Sequence, residues 1–379
     1  MPDSSGIKIF KSPRILVAPL DWGLGHTTRC IPVIYALLSR QAEVWLAGEG
    51  PQEVILRSEF PRLPFLQLPG YRIRYGRSGH GFLPALLKQT PAILRSMRRE
   101  KDWLKRHITL HEFDAVISDN RYGLVDSRIR SILITHQLRI KSPLGDWAEP
   151  LIQKQNYRLI NRFSECWVPD EEDDAGFAGD LSHPVKRPEI PVFYTGILSR
   201  LKKSGLPENK DHLLIILSGP EPQRSILEKK MMEQLRDYSG SVTLIRGLPE
   251  SSEVIPSFNR IRIYNHLPSQ QLEKEMNDAG VVISRSGYST IMDIMQVGKK
   301  SILIPTPGQT EQEYLGQFLH QNGIALCISQ KEFNLVTALQ QAAAFSYREK
   351  KAENSRLPTL IHSLLSRLKP AEGQEQPSD

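Results

Sequence analysis

Short, uninterrupted apolar runs alternate with segments of helical period along this sequence, and the alternation stops once and then restarts. In the first half, residues 14–19, 43–47, 115–118, 131–135 and 165–168 read as buried strands, with helical spacing of apolar residues over 28–39 and 151–163. In the second half the strand candidates are 212–218, 242–245, 261–264, 281–284 and 301–305, with helices expected over 223–238, 268–278, 289–297 and 311–322. Strands that are apolar throughout are those buried on both faces, and strands separated by helices pair in parallel. The chain is therefore expected to be α/β and built as two units. Its 379 residues agree, because a single core of that size is uncommon. The stretch from 170 to 210, rich in Pro, Gly and charge, reads as loops and a linker. This places an N-terminal domain over 1–195 and a second over 196–370, followed by a polar tail, 371–379, expected to be disordered.

Composition narrows the class. An apolar fraction of 40% and a charged fraction of 24% are those of a soluble globular protein. No segment approaches the roughly 18 to 20 apolar residues of a membrane span, and the short polar stretch from Met1 to Lys11 has no secretion-signal core. Cys30, Cys166 and Cys327 lie far apart, with neither metal-ligand spacing nor an even disulfide set, so reduced thiols in the cytoplasm are expected. The formal charge of +7 is uneven: from Arg57 to His107 only Glu59, Glu100 and Asp102 oppose a dense set of Arg and Lys. Such a field suits phosphate-bearing partners, or is simply a solvated helix face. No nucleic-acid recognition motif accompanies it, and no nucleic-acid partner is expected.

Three motifs follow strand ends. The first, Asp21-Trp-Gly-Leu-Gly-His26-Thr-Thr-Arg29, has glycines at 23 and 25 for a tight turn, then a helix whose N-terminal amides face the strand's carboxyl edge. A nicotinamide dinucleotide would need an acidic residue about 20 positions on; only Glu43 and Glu49 are available, and neither sits convincingly at the end of the second strand. The second motif, Ser218-Gly-Pro-Glu-Pro-Gln-Arg224, repeats the strand–turn–helix design, with Arg224 either on a phosphate or on the surface. The third, Ser284-Arg-Ser-Gly287-Tyr-Ser-Thr-Ile-Met-Asp293, makes a tight turn at Ser286 and Gly287, with Ser289 or Thr290 expected to cap the helix. Asp293 would then lie near the first helical turn, as a ribose ligand or as a complement to the helix dipole. A run at Asp170 to Asp174 imitates a metal signature but reads as a solvated loop, and no metal site is expected.

The segment from Leu267 to Gln317 resembles the donor-binding half of glycosyltransferase family 28, and the chain as a whole is similar in layout to MurG-like GT-B enzymes. The combination of DWGLGHTTR, ISDNRYG and SGPEPQR looks like a subgroup of family 28-like proteins. The resemblance implies two facing Rossmann-like domains with a cleft between them, no cofactor, and metal-independent, inverting transfer from a UDP-sugar, with UDP-N-acetylglucosamine as a candidate. It makes Asp293 the ribose ligand, where the family usually has Glu. It places Gln312 on the donor sugar and Glu313 where a second glutamine is usual, and it assigns uracil recognition to the backbone at Leu267. It puts Ser218, Gly219 and Arg224 at the diphosphate, and His26 beside the transferred sugar.

His26 is the first candidate for general base, because imidazole titrates near neutrality; a hydrogen-bonded structural histidine is its other reading. Asp119, in Ile117-Ser-Asp-Asn-Arg-Tyr-Gly123, is a rival base or an Asx turn. His136, just past a strand end, is expected to face the cleft and orient the acceptor. In this context the cationic, partly apolar stretch from Phe82 to Lys105 is expected to rest on an anionic membrane, at its inner face, and admit a lipid-linked acceptor. A UDP-sugar 2-epimerase or hydrolase on the same scaffold, and a non-catalytic nucleotide-sugar binder, are the competing readings.

Overall fold

The computed structural model of the protein describes residues 12–71, 82–142, 145, 147–173, 176–350 and 355–368; the tail 371–379 and residues 72–81 of the basic stretch lie outside them. The first half contains β1 (Arg14–Pro19), α1 (Leu24–Leu38), β2 (Glu43–Gly48), α2 (Pro51–Glu59), β3 (Phe65–Gln67), α3 (Phe82–His111), β4 (Ala115–Asp119), β5 (Arg130–Ile134), α4 (Glu149–Ile160), β6 (Glu165–Val168) and β7 (Val192–Tyr194). The second contains β8 (Asn209–Ile216), α5 (Gln223–Leu235), β9 (Ser241–Ile245), β10 (Ile261–Tyr264), α6 (Ser269–Asp278), β11 (Ala279–Ser284), α7 (Tyr288–Val297), β12 (Ser301–Leu303), α8 (Thr310–Gln321), β13 (Leu326–Cys327), α9 (Leu335–Ala344) and α10 (Leu357–Leu368).

The two sheets share one plan. The first runs β3-β2-β1-β4-β5-β6-β7 and the second β10-β9-β8-β11-β12-β13. Every pairing among these strands is parallel. Central strands are apolar on both faces because helices cover both: Ile15 through Ala18, Ala115 through Ile117 and Ile132 through Ile134 have no exposed surface. In each sheet the chain order reverses between two neighbours, β1 and β4 in the first, β8 and β11 in the second. At such a point the loops leave the sheet in opposite directions and open a crevice at the strands' carboxyl ends.

The expected strands and helices are present with small shifts at their ends. The stretch read as loops and linker hides one more strand, β7, which extends the first sheet at its edge. The acidic run inside it is not a solvated loop throughout: Asp170 is fully buried and accepts hydrogen bonds from the amides of Glu171, Phe177 and Ala178 and from Ser182 Oγ. A carboxylate satisfied this way replaces the backbone pairing that the irregular turn lacks. Among its described residues, Glu172 and Asp173 are exposed.

The halves are tied at their ends as well as at the cleft. The last helix, α10, returns to pack on α1, and Arg367 forms a two-pronged pair with the buried Glu165 of β6, at 2.8 and 3.1 Å. Helix α3 buries Met97, Trp103, Leu104 and Ile108 against the first sheet. Its other face exposes Arg95, Arg98, Arg99, Lys101, Lys105 and Arg106, none of them ion-paired among the described residues. Glu100 turns inward instead, to Arg121 at 2.9 Å and the Tyr71 hydroxyl at 2.8 Å.

Candidate active site

The first strand-order reversal holds the first motif. Gly23 precedes α1 at φ 82, a left-handed conformation that glycine adopts without strain. Gly25 is needed for closeness: a Cβ there would lie 2.8 Å from Ser289 Oγ of α7 in the second half. Ser289 therefore does not cap its own helix, which has no side-chain cap; its hydroxyl donates to the Gly25 carbonyl across the cleft at 2.9 Å.

One residue on, His26 points Nδ1 at Oδ1 of Asp119, 2.7 Å away at the end of β4. Asp119 is fully buried, and Arg29, one turn along α1 from His26, grips both of its oxygens through Nε and Nη2. Those contacts set the electrostatics of the pair. The Arg29 guanidinium, ahead of His26, overcomes burial and holds the Asp119 carboxyl down at about 2, so it is ionised at neutral pH. An ionised carboxylate with its lone pairs met by Arg29 and His26 is not a base for a substrate. Its Oδ1 can accept from a proton on His26 Nδ1, the tautomer that leaves Nε2 with a free lone pair, while Arg29 Nη2, also 2.8 Å from Nδ1, donates to Asp119. Nε2 makes no hydrogen bond among the described residues. Burial, with the Arg29 charge, lowers the His26 pKa below its usual 6.5 against the opposing pull of Asp119, so the ring is neutral at pH 7.

The network crosses the cleft. Arg29 Nη1 lies 3.2 Å from His136 Nδ1, and His136 Nε2 lies 2.8 Å from Oε1 of Glu311, on the first turn of α8. Gln137 donates to the other oxygen of Glu311. His136 is also stacked on Tyr288, with centroids 4.3 Å apart. With both ring nitrogens engaged and the residue 3% exposed, His136 bridges the halves and has no nitrogen free to orient an acceptor. Glu311 keeps about a third of its side chain exposed (34%). Against its burial, the His136 imidazole and then His26 and Arg29 hold its pKa below the ordinary glutamate value.

The second reversal holds the other two motifs. After β8 the chain turns through Gly219 at φ 101 into α5. Pro220 and Pro222 have no N–H, so only the amides of Ser218, Gly219, Glu221 and Gln223 are available to an anion in this turn. Arg224 is not aimed at the opening: its guanidinium is 2.6 Å from Glu221 and 2.6 Å from Glu228. Glu228 also pairs with Arg246, which reaches Glu253 at 3.2 Å, so Arg224 is absorbed in a five-residue ion network centred on the buried Glu228. After β11, Ser286 Oγ donates to the Gln312 carbonyl at 2.7 Å, and Gly287 is the N-cap of α7.

Asp293 is the sixth residue of α7, a turn deeper than expected, and 8% exposed. Ser199 of the connecting segment donates to its Oδ1 at 2.6 Å, and the half-buried Arg200 lies beside it. Burial raises its pKa above the ordinary aspartate value, against the pull of Arg200. Leu267 is buried where β10 leads into α6. Gln312 accepts from the Thr306 amide at 2.9 Å through its amide oxygen, leaving its NH₂ for a ligand. Glu313 is exposed and caps the Gly308 amide at 2.9 Å. Beside the first motif, Asp21, Gly23, Leu24, Gly50, Gln52 and Glu250 line an opening of about 370 Å³ that reaches from one half to the other.

The structure thus brings His26, Asp119 and His136 into one network opposite the turns bearing Ser286, Gly287 and Gln312. Sequence reasoning assigned no role to Arg29 or Glu311. Arg29 had a visible signal, the helical i+3 spacing from His26; Glu311 had none, because its partners lie 174 and 175 positions away.

Residues 226–364 match the family model described as the glycosyltransferase family 28 C-terminal domain. A protein of Methanosarcina acetivorans described as an uncharacterized glycosyltransferase is 23% identical over 348 residues, covering 83% of this chain and 86% of that protein. The UDP-N-acetylglucosamine--N-acetylmuramyl-(pentapeptide) pyrophosphoryl-undecaprenol N-acetylglucosamine transferase of Haemophilus ducreyi is 22% identical, covering 87% of this chain and 89% of that protein. Among solved structures, Phytolacca americana UGT2 complexed with UDP-2fluoro-glucose and pterostilbene superposes with a TM-score of 0.59 at 13% identity, covering 96% of each chain. Both halves thus share the fold of GT-B glycosyltransferases, residues 226–364 match the family 28 C-terminal domain, and the relatives along most of the chain's length are described as glycosyltransferases.

Proposed function

We propose that the enzyme transfers a sugar from a UDP-sugar to an acceptor hydroxyl, without a metal and with inversion, using His26 as the base. The observation that carries this reading is the His26–Asp119 pair at the first strand-order reversal: a neutral imidazole, its proton held on Nδ1, presents Nε2 to the cleft. In the step itself, Nε2 takes the acceptor's hydroxyl proton while the oxygen bonds to the anomeric carbon from the face opposite the diphosphate. The bond from that carbon to the diphosphate oxygen breaks, and UDP leaves with the electron pair. The N-terminal amides of α5 and α7 face the growing negative charge.

In this reading residues 1–195 form the acceptor lobe and 196–370 the donor lobe. Asp293 takes the ribose hydroxyls, exchanging the Ser199 hydrogen bond for them. The Leu267 backbone meets the uracil edge, and the free NH₂ of Gln312 meets the sugar. Glu313 is already used in capping, which argues against a fixed preference for N-acetylglucosamine. The relatives named for UDP-N-acetylglucosamine transfer, and a neighbour holding a UDP-sugar analogue, support a uridine donor.

Thermal unfolding against UDP, GDP, dTDP, CMP and NADH tests the donor. UDP at 100 times its dissociation constant should add about 2.7 kcal/mol, and silence for every uridine nucleotide would overturn the assignment. Free sugar or an epimer formed from the UDP-sugar without acceptor would replace transfer by hydrolysis or epimerisation.

We also propose that α3 meets an anionic membrane through charge. Its apolar residues Met97, Trp103 and Leu104 are committed to the core, and among the described side chains of α3 the exposed cations with Leu94 and Leu110 remain for the contact; the side chains of Phe82, Leu83, Leu86 and Leu87 lie outside the described ones. Flotation with phosphatidylserine vesicles should retain the protein at low salt and release it as ionic strength rises, at about 1 kcal/mol per basic residue engaged. Absence of binding at low salt would exclude it.

A further inference from the structure

The donor half contains one cation that its sequence neighbours hide. Arg285, between the end of β11 and the Ser286–Gly287 turn, has no exposed surface. Nη1 donates to the carbonyls of Ile304 and Pro305, each at 3.2 Å, and Nη2 to the carbonyl of Gln223 at 2.8 Å. Nε is buried with no partner. No carboxylate pairs with this guanidinium among the described residues. Every other well-buried cation of this half has one: Arg224 has Glu221 and Glu228, Arg246 has Glu228 and Glu253, and Lys299 has Glu208. Burial alone lowers the Arg285 pKa to about 10, which still leaves it charged at neutral pH.

A buried charge without a counter-ion is costly and persists where something else compensates it. Three carbonyl dipoles do so in part. Their placement is informative: Gln223 opens α5, and Ile304 and Pro305 follow β12, so Arg285 underlies both sides of the turn at the second strand-order reversal. That turn is short of attraction for an anion. Two of its residues are prolines, Glu221 adds a negative charge, and Arg224 is spent on carboxylates.

We propose that Arg285 is the positioning and charge-supplying residue of the donor site, and that the donor's diphosphate is its missing counter-ion. It acts through the α5 and β12 turns, which it holds by hydrogen bonds, and through its uncompensated charge beneath them. This rests on the donor reading above.

The test is a ligand series in which only phosphate number changes. Calorimetric binding of uridine, UMP, UDP and inorganic pyrophosphate is compared in the wild type, Arg285→Lys and Arg285→Met, with circular dichroism confirming the fold. Arg285→Met should weaken UDP and pyrophosphate by about tenfold or more, UMP less, and uridine by about twofold or less, because a charge acts in proportion to the charge it meets. Arg285→Lys keeps the charge and loses the planar fork. It should therefore retain most of the wild-type ratio of uridine to UDP dissociation constants, and this ratio is the readout if the Met variant does not fold. Equal weakening of uridine and UDP in Arg285→Met, or a ratio collapsed in Arg285→Lys, would reduce Arg285 to scaffolding while leaving the donor assignment intact. If the wild type binds pyrophosphate but no uridine nucleotide, the donor assignment fails while Arg285 is still judged on pyrophosphate. Binding of neither overturns both.

Discussion

The two strand-order reversals of this molecule have the same backbone and opposite electrostatics. In the first half a Gly-turn after β1 meets the end of β4, and the groups between them are His26, Asp119 and Arg29, each facing an opposite charge or a hydrogen-bond partner. In the second a Gly-turn after β8 meets the end of β11, and the cation there, Arg285, is held by carbonyls alone. A saturated network fixes geometry and protonation, which suits a base. An unsaturated one keeps a potential available for a ligand, which suits an anion. Under the proposed function the same topology would serve proton transfer on one side of the cleft and diphosphate binding on the other, and the difference would lie in which charges are already paired.

The largest effect is expected where the saturated network is cut at its centre. Asp119→Asn leaves Arg29 buried without a carboxylate and offers His26 Nδ1 at best a neutral amide oxygen, with an NH₂ donor in place of the second carboxylate oxygen. Stability should fall by about 3–5 kcal/mol in denaturant titration, and turnover should fall with it even where the variant is folded. The same group sets acid behaviour. Its folded pKa of about 2 lies below the ordinary 3.8, so its contribution is complete above about pH 4 and is lost as pH falls toward 2. Acid titration of the wild type should show this loss, and Asp119→Asn should lack it.

Next in size is His26→Ala, which removes the base and spares the donor half. Initial rates at saturating donor should drop by about 10²- to 10⁴-fold, with UDP affinity unchanged. Near-normal rates would remove His26 from the mechanism. Because burial lowers its pKa, the acid limb of the wild-type kcat/KM profile should fall below 6.5; a limb above that value would mean that Asp119 dominates.

The smallest effect belongs to the second half. Asp293→Asn keeps the shape and the Ser199 contact but removes the charge, and UDP should bind about tenfold more weakly with kcat little changed. An equal loss in both constants would mean that Asp293 acts on the lobe connection rather than on the ribose.

The legible parts of the sequence are those written in local pattern. Runs such as residues 14–19 and 131–135 declare buried parallel strands because every residue in them is apolar. The edge strands β3, β7 and β13 did not declare themselves, since two or three residues carry no period and only a neighbouring strand completes them. His26 was visible through the glycines that precede it. Arg224 was read as lying on a phosphate or on the surface; in the structure it pairs with carboxylates at i−3 and i+4 that were in plain view as helix-spacing partners. Ser289 lost its expected capping role to a residue 264 positions away.

What the sequence determined by itself is the two-unit α/β plan, the turns after β1, β8 and β11, and the glycines that let backbone approach a partner, because each depends on residues within a few positions of one another. The tertiary structure alone decided how the polar groups were used. Asp119 meets His26 and Arg29; His136 joins Glu311 across the cleft; Arg285 has no carboxylate partner among the described residues while Arg224 has two. Protonation and charge depend on what is near in space and on how much water has been removed, and both are properties of the packed chain.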